Sequence, residues 1–395
     1  MSGAAQSQAL VSRGPFSDGK WAIEPVKLRE VGDDEVLVEI VASGICHTDL
    51  HCGNTPDDKG VPAVFYPRVL GHEGSGYVKK AGSAVSSVKE GDAVLLSFSY
   101  CGECHVCKTG PPSHCTDFFN INFMGNPVFT SHHIRTSMDS SAAANPDIGG
   151  CFFGQSSFAR HTIVSSKSVV NVSSLDLSLD ELRLLAPFGC GLQTGAGTVQ
   201  NVAKAGPDDC IAIIGLGGVG LAAVMAAKNA GCRRIIGLDR LASRLDLARD
   251  LGATDVVDTN NKPIEEIVKA VKDASDGLGA TIVIDTSAHP PLVDAAVKFT
   301  RYMARIIQVG TGMPESYVIL HMQSFMVSGK QYFGAVQGHS RTAKYIPDLI
   351  QWWREGKFPV EKLIKFFDFE DFEGAIKGMG DGSVVKPVLV WKTAT

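Results

Sequence analysis

The six residues Gly215-Leu216-Gly217-Gly218-Val219-Gly220 restrict the fold more than any other stretch of this chain. They follow an apolar run, Ile211–Ile214, and open a segment of helical composition, Leu221–Ala230. Glycines at such a junction let the backbone turn tightly and approach a ligand closely. The free N–H groups and dipole of the helix start then favour an anion such as a pyrophosphate. An acid, Asp239, ends the next apolar run about twenty residues after the loop, as a dinucleotide-binding βαβ unit requires. A carboxylate there bonds the adenine ribose hydroxyls and repels a 2′-phosphate, which points to NAD; Arg240 beside it leaves room for NADP.

The surroundings repeat this grammar. Cys210–Gly215, Arg234–Asp239, Thr254–Asp258, Ala280–Thr286 and Arg305–Gly310 read as strands with helix-length segments between them, the pattern of a parallel sheet covered by helices. Residues 20–50 and 61–100 instead alternate short β-branched runs with Gly, Pro and Asp, as an antiparallel barrel does. With 395 residues the chain is too long for one ordinary core. The expected fold is therefore α/β in two domains: a β-barrel domain over 1–191 and 339–395, and a doubly wound Rossmann domain over 192–338. The polar stretch 116–150 is expected to be a surface excursion, and the tail to hold one helix, Thr342–Glu355, and two strands, Leu363–Phe369 and Lys386–Trp391.

Two groups of residues carry metal chemistry. Cys101, Cys104, Cys107 and Cys115 lie within fifteen residues on a loop with Gly102, Gly110, Pro111 and Pro112, the lobe 99–116. Four thiolates this close can surround one zinc and leave no open position, which makes a structural site; an iron–sulfur cluster uses similar spacing. The second group is spread out. Cys46, His72 and Cys190 each sit among glycines at the end of a candidate strand. Two thiolates and an imidazole would give three ligands with a fourth position open, the arrangement of a catalytic zinc. Sequence spacing does not join them, and each alone also suits a core. Cys46 to His51 pack a thiol, two imidazoles, a hydroxyl and a carboxylate into six positions, in which Thr48 and His51 are placed to carry protons away from a metal at Cys46.

Taken together, these motifs resemble the zinc-dependent alcohol dehydrogenases of the medium-chain dehydrogenase/reductase superfamily. Cys46-His47-Thr48-Asp49, Gly71-His72-Glu73-Gly74, the cysteine lobe, Gly189-Cys190-Gly191 and Gly215–Gly220 occur in the family's order, and Gly189–Gly197 looks most like the aryl-alcohol (benzyl-alcohol) branch. The resemblance implies a GroES-like catalytic domain, two Zn2+ per chain and hydride transfer between a primary alcohol or aldehyde and NAD. It makes Cys46, His72 and Cys190 the catalytic ligands, with Glu73 a nearby carboxylate that can approach the metal. Asp49 becomes the acid that orients His72, and Thr48 and His51 the proton relay. His47, Thr194, Val219, Arg244 and Lys386 are implied as cofactor contacts, the last near the pyrophosphate. Phe152 and Phe153 match positions that line the substrate pocket, although adjacent aromatics are as often plain core.

Other readings use the same residues. They are a glutathione-linked formaldehyde dehydrogenase, an aldehyde reductase of a specialised biosynthetic pathway, and a non-catalytic zinc- and nucleotide-binding protein. Nucleic acid is disfavoured by the net charge of −5 and by a lobe whose one basic residue is Lys108. No segment has the length of a membrane span, and Met1–Arg13 lacks a secretory core, so a cytoplasmic location is expected. Cys52, Cys151, Cys210 and Cys232 read as free thiols, and His132-His133 as part of a solvated surface. The apolar run Tyr317–Met326 is expected to be an edge strand that a monomer would leave unpaired, and the family resemblance implies a homodimer through it, with a tetramer as the larger option.

Overall fold

The computed structural model describes residues 6–56, 65–131, 147–312 and 315–392. The chain divides into two compact units, one of 1–190, 341–348 and 363–395, the other of 191–340 and 349–362.

In the first unit, Gln6–Ser12, Trp21–Leu28, Asn126–Ser131, Asp147–Gly150 and Arg68–Val69 close into a small barrel. A seven-stranded sheet adjoins it, organised on the ten-residue strand Glu35–Gly44. Val36, Val38 and Ile40 alternate into the core while the residues between them stay half exposed, so one face of this strand is fixed by burial alone. The strand pairs antiparallel with Gly74–Ala81 in the register Ser43 to Gly74, and with Lys386–Val390 in the register Gly44 to Val388. Those two registers bring the chain around residues 45, 73 and 386 to one end of the sheet. Gly76 permits the first pairing, because a Cβ there would lie 2.0 Å from the Glu39 carbonyl oxygen.

The second unit is a sheet of six parallel strands in the order Asp255–Asp258, Arg234–Asp239, Cys210–Ile214, Ala280–Asp285, Thr300–Gln308 and Gln331–Gly334. Cys210–Ile214 is buried throughout, as a central strand covered on both faces must be. Chain order reverses between it and Ala280–Asp285, and the glycine loop leaves its carboxyl end at that switch point, where open α/β sheets take their ligands. No helix among the described residues is long and apolar enough to cross a membrane.

Four sequence expectations need correction. The stretch 116–150 is not a surface excursion over its described part: Asn126–Ser131 pairs with Trp21–Leu28 in the barrel, and Phe118 and Phe123 pack on the core. Asn122 anchors it from a fully buried position, accepting from Ser99 N at 2.9 Å and donating to the Ser99 and Phe118 carbonyls. His132-His133 lies outside the described residues. Residues 349–362 belong with the dinucleotide sheet's unit, tied there by an Asn229 Nδ2 bond to the Lys357 carbonyl and by burial of Leu349 and Ile350. The tail also holds an unexpected helix, Phe372–Gly380. Finally, Tyr317–Met326 is no strand: an irregular stretch leads into the helix Met322–Ser328, capped by His321 and ended by Gly329 at φ 62°. The sheet edge is Gln331–Gly334 instead.

Candidate active site

Cys46 is the last residue before the helix His47–Asn54, whose third residue is Asp49. The Asp49 carboxylate is fully buried and accepts three hydrogen bonds. Oδ2 takes Cys46 N at 2.9 Å; Oδ1 takes Gly71 N at 3.0 Å and lies 2.9 Å from His72 Nδ1. One side chain therefore closes the helix start and anchors one nitrogen of a histidine on a distant loop. With Nδ1 engaged, the remaining nitrogen, Nε2, is buried without a hydrogen-bond partner.

The ligand atoms of Cys46, His72 and Cys190 lie within 4.8 Å of one another. These three residues fit a metal ion by their chemistry as well as their distances. A hydrogen bond from Cys190 holds the Cys46 thiol well below its ordinary range, against burial and with help from the Lys386 charge. Burial works against a charged His72, yet the Asp49 charge and hydrogen bond raise the imidazole's basicity, which strengthens it as a ligand. An orphaned buried nitrogen facing two thiols is costly in a protein interior unless a cation completes the group.

Cys101, Cys104, Cys107 and Cys115 also gather within 4.8 Å. The Cys101 and Cys107 sulfurs are 3.8 Å apart, close to the edge of a tetrahedron with metal–sulfur bonds of about 2.3 Å. So tight a set fits one ion better than a cluster. Backbone N–H groups of Cys104, Glu103 and Cys107 point at these sulfurs, and those of Thr116 and Cys107 draw the Cys104 thiol down to about 5.

In the second unit, Gly215 has φ 84° and Gly217 ends the loop at the start of the helix Gly218–Asn229. A Cβ on Gly220 would lie 1.8 Å from the Gly215 carbonyl oxygen, whereas one on Gly217 would enter open space. The loop is thus locked on its inner side and free where a phosphate would approach. Asp239 accepts from Leu216 N at 2.7 Å and Leu241 N at 2.9 Å, so it also secures the loop's own backbone.

Family models match here. An alcohol dehydrogenase GroES-like domain covers residues 32–174, and a zinc-binding dehydrogenase domain covers residues 218–354. The geraniol dehydrogenase of Castellaniella defragrans is 36% identical over 373 residues, 94% of this chain and 95% of that protein. The chain belongs to the zinc-dependent alcohol dehydrogenases. Solved structures agree with that membership. An alcohol dehydrogenase zinc-binding domain protein from Burkholderia ambifaria is 32% identical with a TM-score of 0.88, covering 99% of this chain and all of that one (100%). The benzyl alcohol dehydrogenase of Acinetobacter calcoaceticus is 34% identical with a TM-score of 0.86, covering 98% and 100%. The protein is accordingly an oxidoreductase of the medium-chain superfamily that uses zinc and a nicotinamide cofactor on small alcohols or aldehydes.

Within this alcohol dehydrogenase, the remaining site residues fall into place unevenly. Thr48 is half buried, its Oγ1 3.8 Å from Cys46 Sγ, and His51 lies three residues along the same helix, exposed. His47 is exposed at the first helical position. Thr194 is buried and, with Gln193, hydrogen-bonds the Gln337 side chain at 3.4 and 3.2 Å. Val219 is half buried in the first turn after the loop, and Arg244 is buried within the field of Asp239.

Lys386 is 4% exposed, and its ammonium donates to Glu73 Oε1 at 3.0 Å, Glu73 Oε2 at 2.9 Å and the Ile45 carbonyl at 3.1 Å. All three N–H groups are used inside the first unit. Burial pushes the Glu73 carboxyl up and Lys386 opposes it, so the pair holds this carboxylate in place beside His72. Cys52 is no ligand; burial pushes its thiol up to about 11. Gln155 and Gln337 were not expected at all, since neither lies in a motif, and only three-dimensional proximity reveals them.

Replacing Asp49 by Asn keeps the shape but removes the charge that holds His72 and Cys46. The Asp49→Asn protein is expected to bind zinc at this centre about 10–100-fold more weakly while keeping the lobe's metal. Metal content after dialysis against a graded chelator measures this, and two equally retained zincs would refute it.

Proposed function

We propose that this dehydrogenase interconverts primary allylic or aryl alcohols and their aldehydes with NAD, using one zinc at Cys46, His72 and Cys190 and a structural zinc in the lobe 101–115. The observation that carries the reading is the contrast between the two groups: four sulfurs that close around one ion, and three ligands with an orphaned buried nitrogen that leave a coordination position for substrate. When bound, the zinc makes an alcohol proton more acidic and the nicotinamide takes up the hydride.

The chain's own residues handle the rest. Asp49 keeps the His72 ring in one tautomer. Thr48, beside Cys46, and His51, facing solvent on the next turn of the helix, hold the inner and outer ends of a proton route. The rings of Phe152 and Phe153 against His72, with Phe123 behind them, make the surroundings apolar and rich in π surface. That suits an unsaturated or aromatic carbinol, and the relatives above are named for geraniol and benzyl alcohol, both of this type. The Asp239 carboxylate, fixed at the end of its strand, favours NAD over a cofactor carrying a 2′-phosphate.

Rates with benzyl, allylic and aliphatic primary alcohols, with NAD and NADP, test the assignment. Unsaturated alcohols with NAD are expected to give the highest kcat/KM; preference for the glutathione adduct of formaldehyde would replace this reading. Cys46→Ser is expected to abolish turnover and leave one zinc per chain, with NAD affinity unchanged by fluorescence titration.

The relay makes a separate claim. His51→Gln is expected to slow alcohol oxidation most at low pH, where loss of the alcohol proton limits the rate. A pH–rate profile parallel to that of the parent enzyme would remove His51 from the route.

We also propose a homodimer formed through the second unit, where Tyr302, Met303, Tyr317, Ile319, Met322 and Met326 are each between 68% and 86% exposed. So many large apolar side chains in one unit mark an interaction surface. Sedimentation equilibrium is expected to give twice the chain mass, and Ile319→Asp with Met322→Asp to return the monomer; a monomeric parent would exclude it.

A further inference from the structure

The turn that carries Phe152 and Phe153 has an unusual backbone. Among the described residues of the first unit, four non-glycine residues have positive φ, and three of them lie here: Cys151 at 59°, Phe153 at 53° and Ser156 at 57°. Gly154, between them, has φ 68°. Non-glycine residues stay in the left-handed region only where the surroundings over-determine them, and they concentrate at functional sites.

What this turn grips is His72. The Phe153 ring stacks on the imidazole with centroids 4.5 Å apart and planes 23° apart, and Phe152 meets it edge-on at 5.5 Å and 80°. The Gln155 amide, fully buried, donates to the His72 carbonyl at 2.9 Å and to the Ser97 carbonyl at 3.0 Å, and accepts from Gly74 N at 3.1 Å. Ser157 N donates to the Gly71 carbonyl at 2.9 Å. The two segments are so close that a Cβ on Gly71 would lie 2.5 Å from Phe158 N, and one on Gly74 would lie 2.7 Å from Ser157 Cβ.

We infer that the turn 151–157 is a clamp that aims the His72 imidazole, with Phe153 fixing the plane of the ring and Gln155 fixing the backbone beneath it. The inference rests on the reading of Cys46, His72 and Cys190 as a metal centre. Asp49 alone holds Nδ1 at one point and leaves the ring free to pivot about that bond. A stacked face and a second ring at right angles remove the pivot, so Nε2 has one direction in which to meet an ion. Phe153 and Gln155 are positioning residues in this account; neither needs to touch substrate.

The test uses Phe153→Leu in the full-length protein, with Phe98→Leu as the comparison. Phe98 is equally buried in the same core, 1% exposed, and its ring contacts are with Tyr100 and Phe118, not with His72. Zinc transfer to a chromogenic chelator is followed in both, with the four-cysteine lobe as the internal reference. Phe153→Leu is expected to release zinc from the Cys46 centre about ten-fold faster and to leave release from the lobe unchanged, whereas Phe98→Leu changes neither. The visible d–d bands of the cobalt-substituted protein, recorded without alcohol or NAD, are expected to shift in Phe153→Leu alone. A pocket wall or a core filler would move KM or thermal stability and leave both the bands and the selective release as in the parent; that result would overturn the clamp. Should Phe153→Leu not fold, Phe153→Met, whose flexible chain fills the same space without a ring face, gives the same reading. A parent protein holding a single zinc would overturn the metal centre and the clamp together, whereas two zincs with unchanged release would overturn the clamp alone.

Discussion

Three hydrogen bonds to one buried carboxylate join the parts of this enzyme's proposed metal centre. Asp49 receives Cys46 N, Gly71 N and His72 Nδ1, and so ties a helix start to a loop 22 residues away. A carboxylate at full burial is costly unless its lone pairs are met, and here they are met by the groups whose positions matter most to the chemistry. Cys46 and His72 are thereby fixed relative to each other by an interaction that needs no metal. The site is organised before an ion arrives, which lowers the reorganisation that binding would otherwise require.

Around that carboxylate the fold sorts charges by role. Glu73 follows His72 directly, and left alone its carboxylate would compete for the same cation. Lys386 holds both its oxygens at 2.9 and 3.0 Å and so confines it. The four-cysteine lobe shows the opposite design. Its sulfurs gather one another and backbone N–H groups, which suits a site that only has to stay closed.

Much of this could be read from residues in order. The parallel strands Arg234–Asp239 and Ala280–Asp285 stand out because strands buried on both faces are continuous apolar runs. The lobe is equally plain, since its ligands are near one another in sequence. Cys46, His72 and Cys190 are not, and it was the family's order of motifs that joined them. Asn126–Ser131 is hidden within a polar stretch that shows no period, although Val128 and Phe129 carry the strand's buried side. Tyr317–Met326 was misread because an apolar run alone does not distinguish a short helix from a strand. Lys386 as a cofactor contact is implied by the family resemblance alone; the anion it meets within the first unit is Glu73, which no spacing rule connects to it.

The Lys386–Glu73 pair has a further consequence for the order in which the protein can be made. The two residues are 313 positions apart, and the strand that carries Lys386 lies between Glu35–Gly44 and Ile364–Asp368 in the central sheet. During synthesis Glu73, His72 and Asp49 leave the ribosome long before their counter-charge does. Until the strand Lys386–Val390 inserts, the Glu73 carboxylate lacks the ammonium that offsets its burial. The surroundings of Glu73 are therefore completed only when the strand Lys386–Val390 joins the sheet.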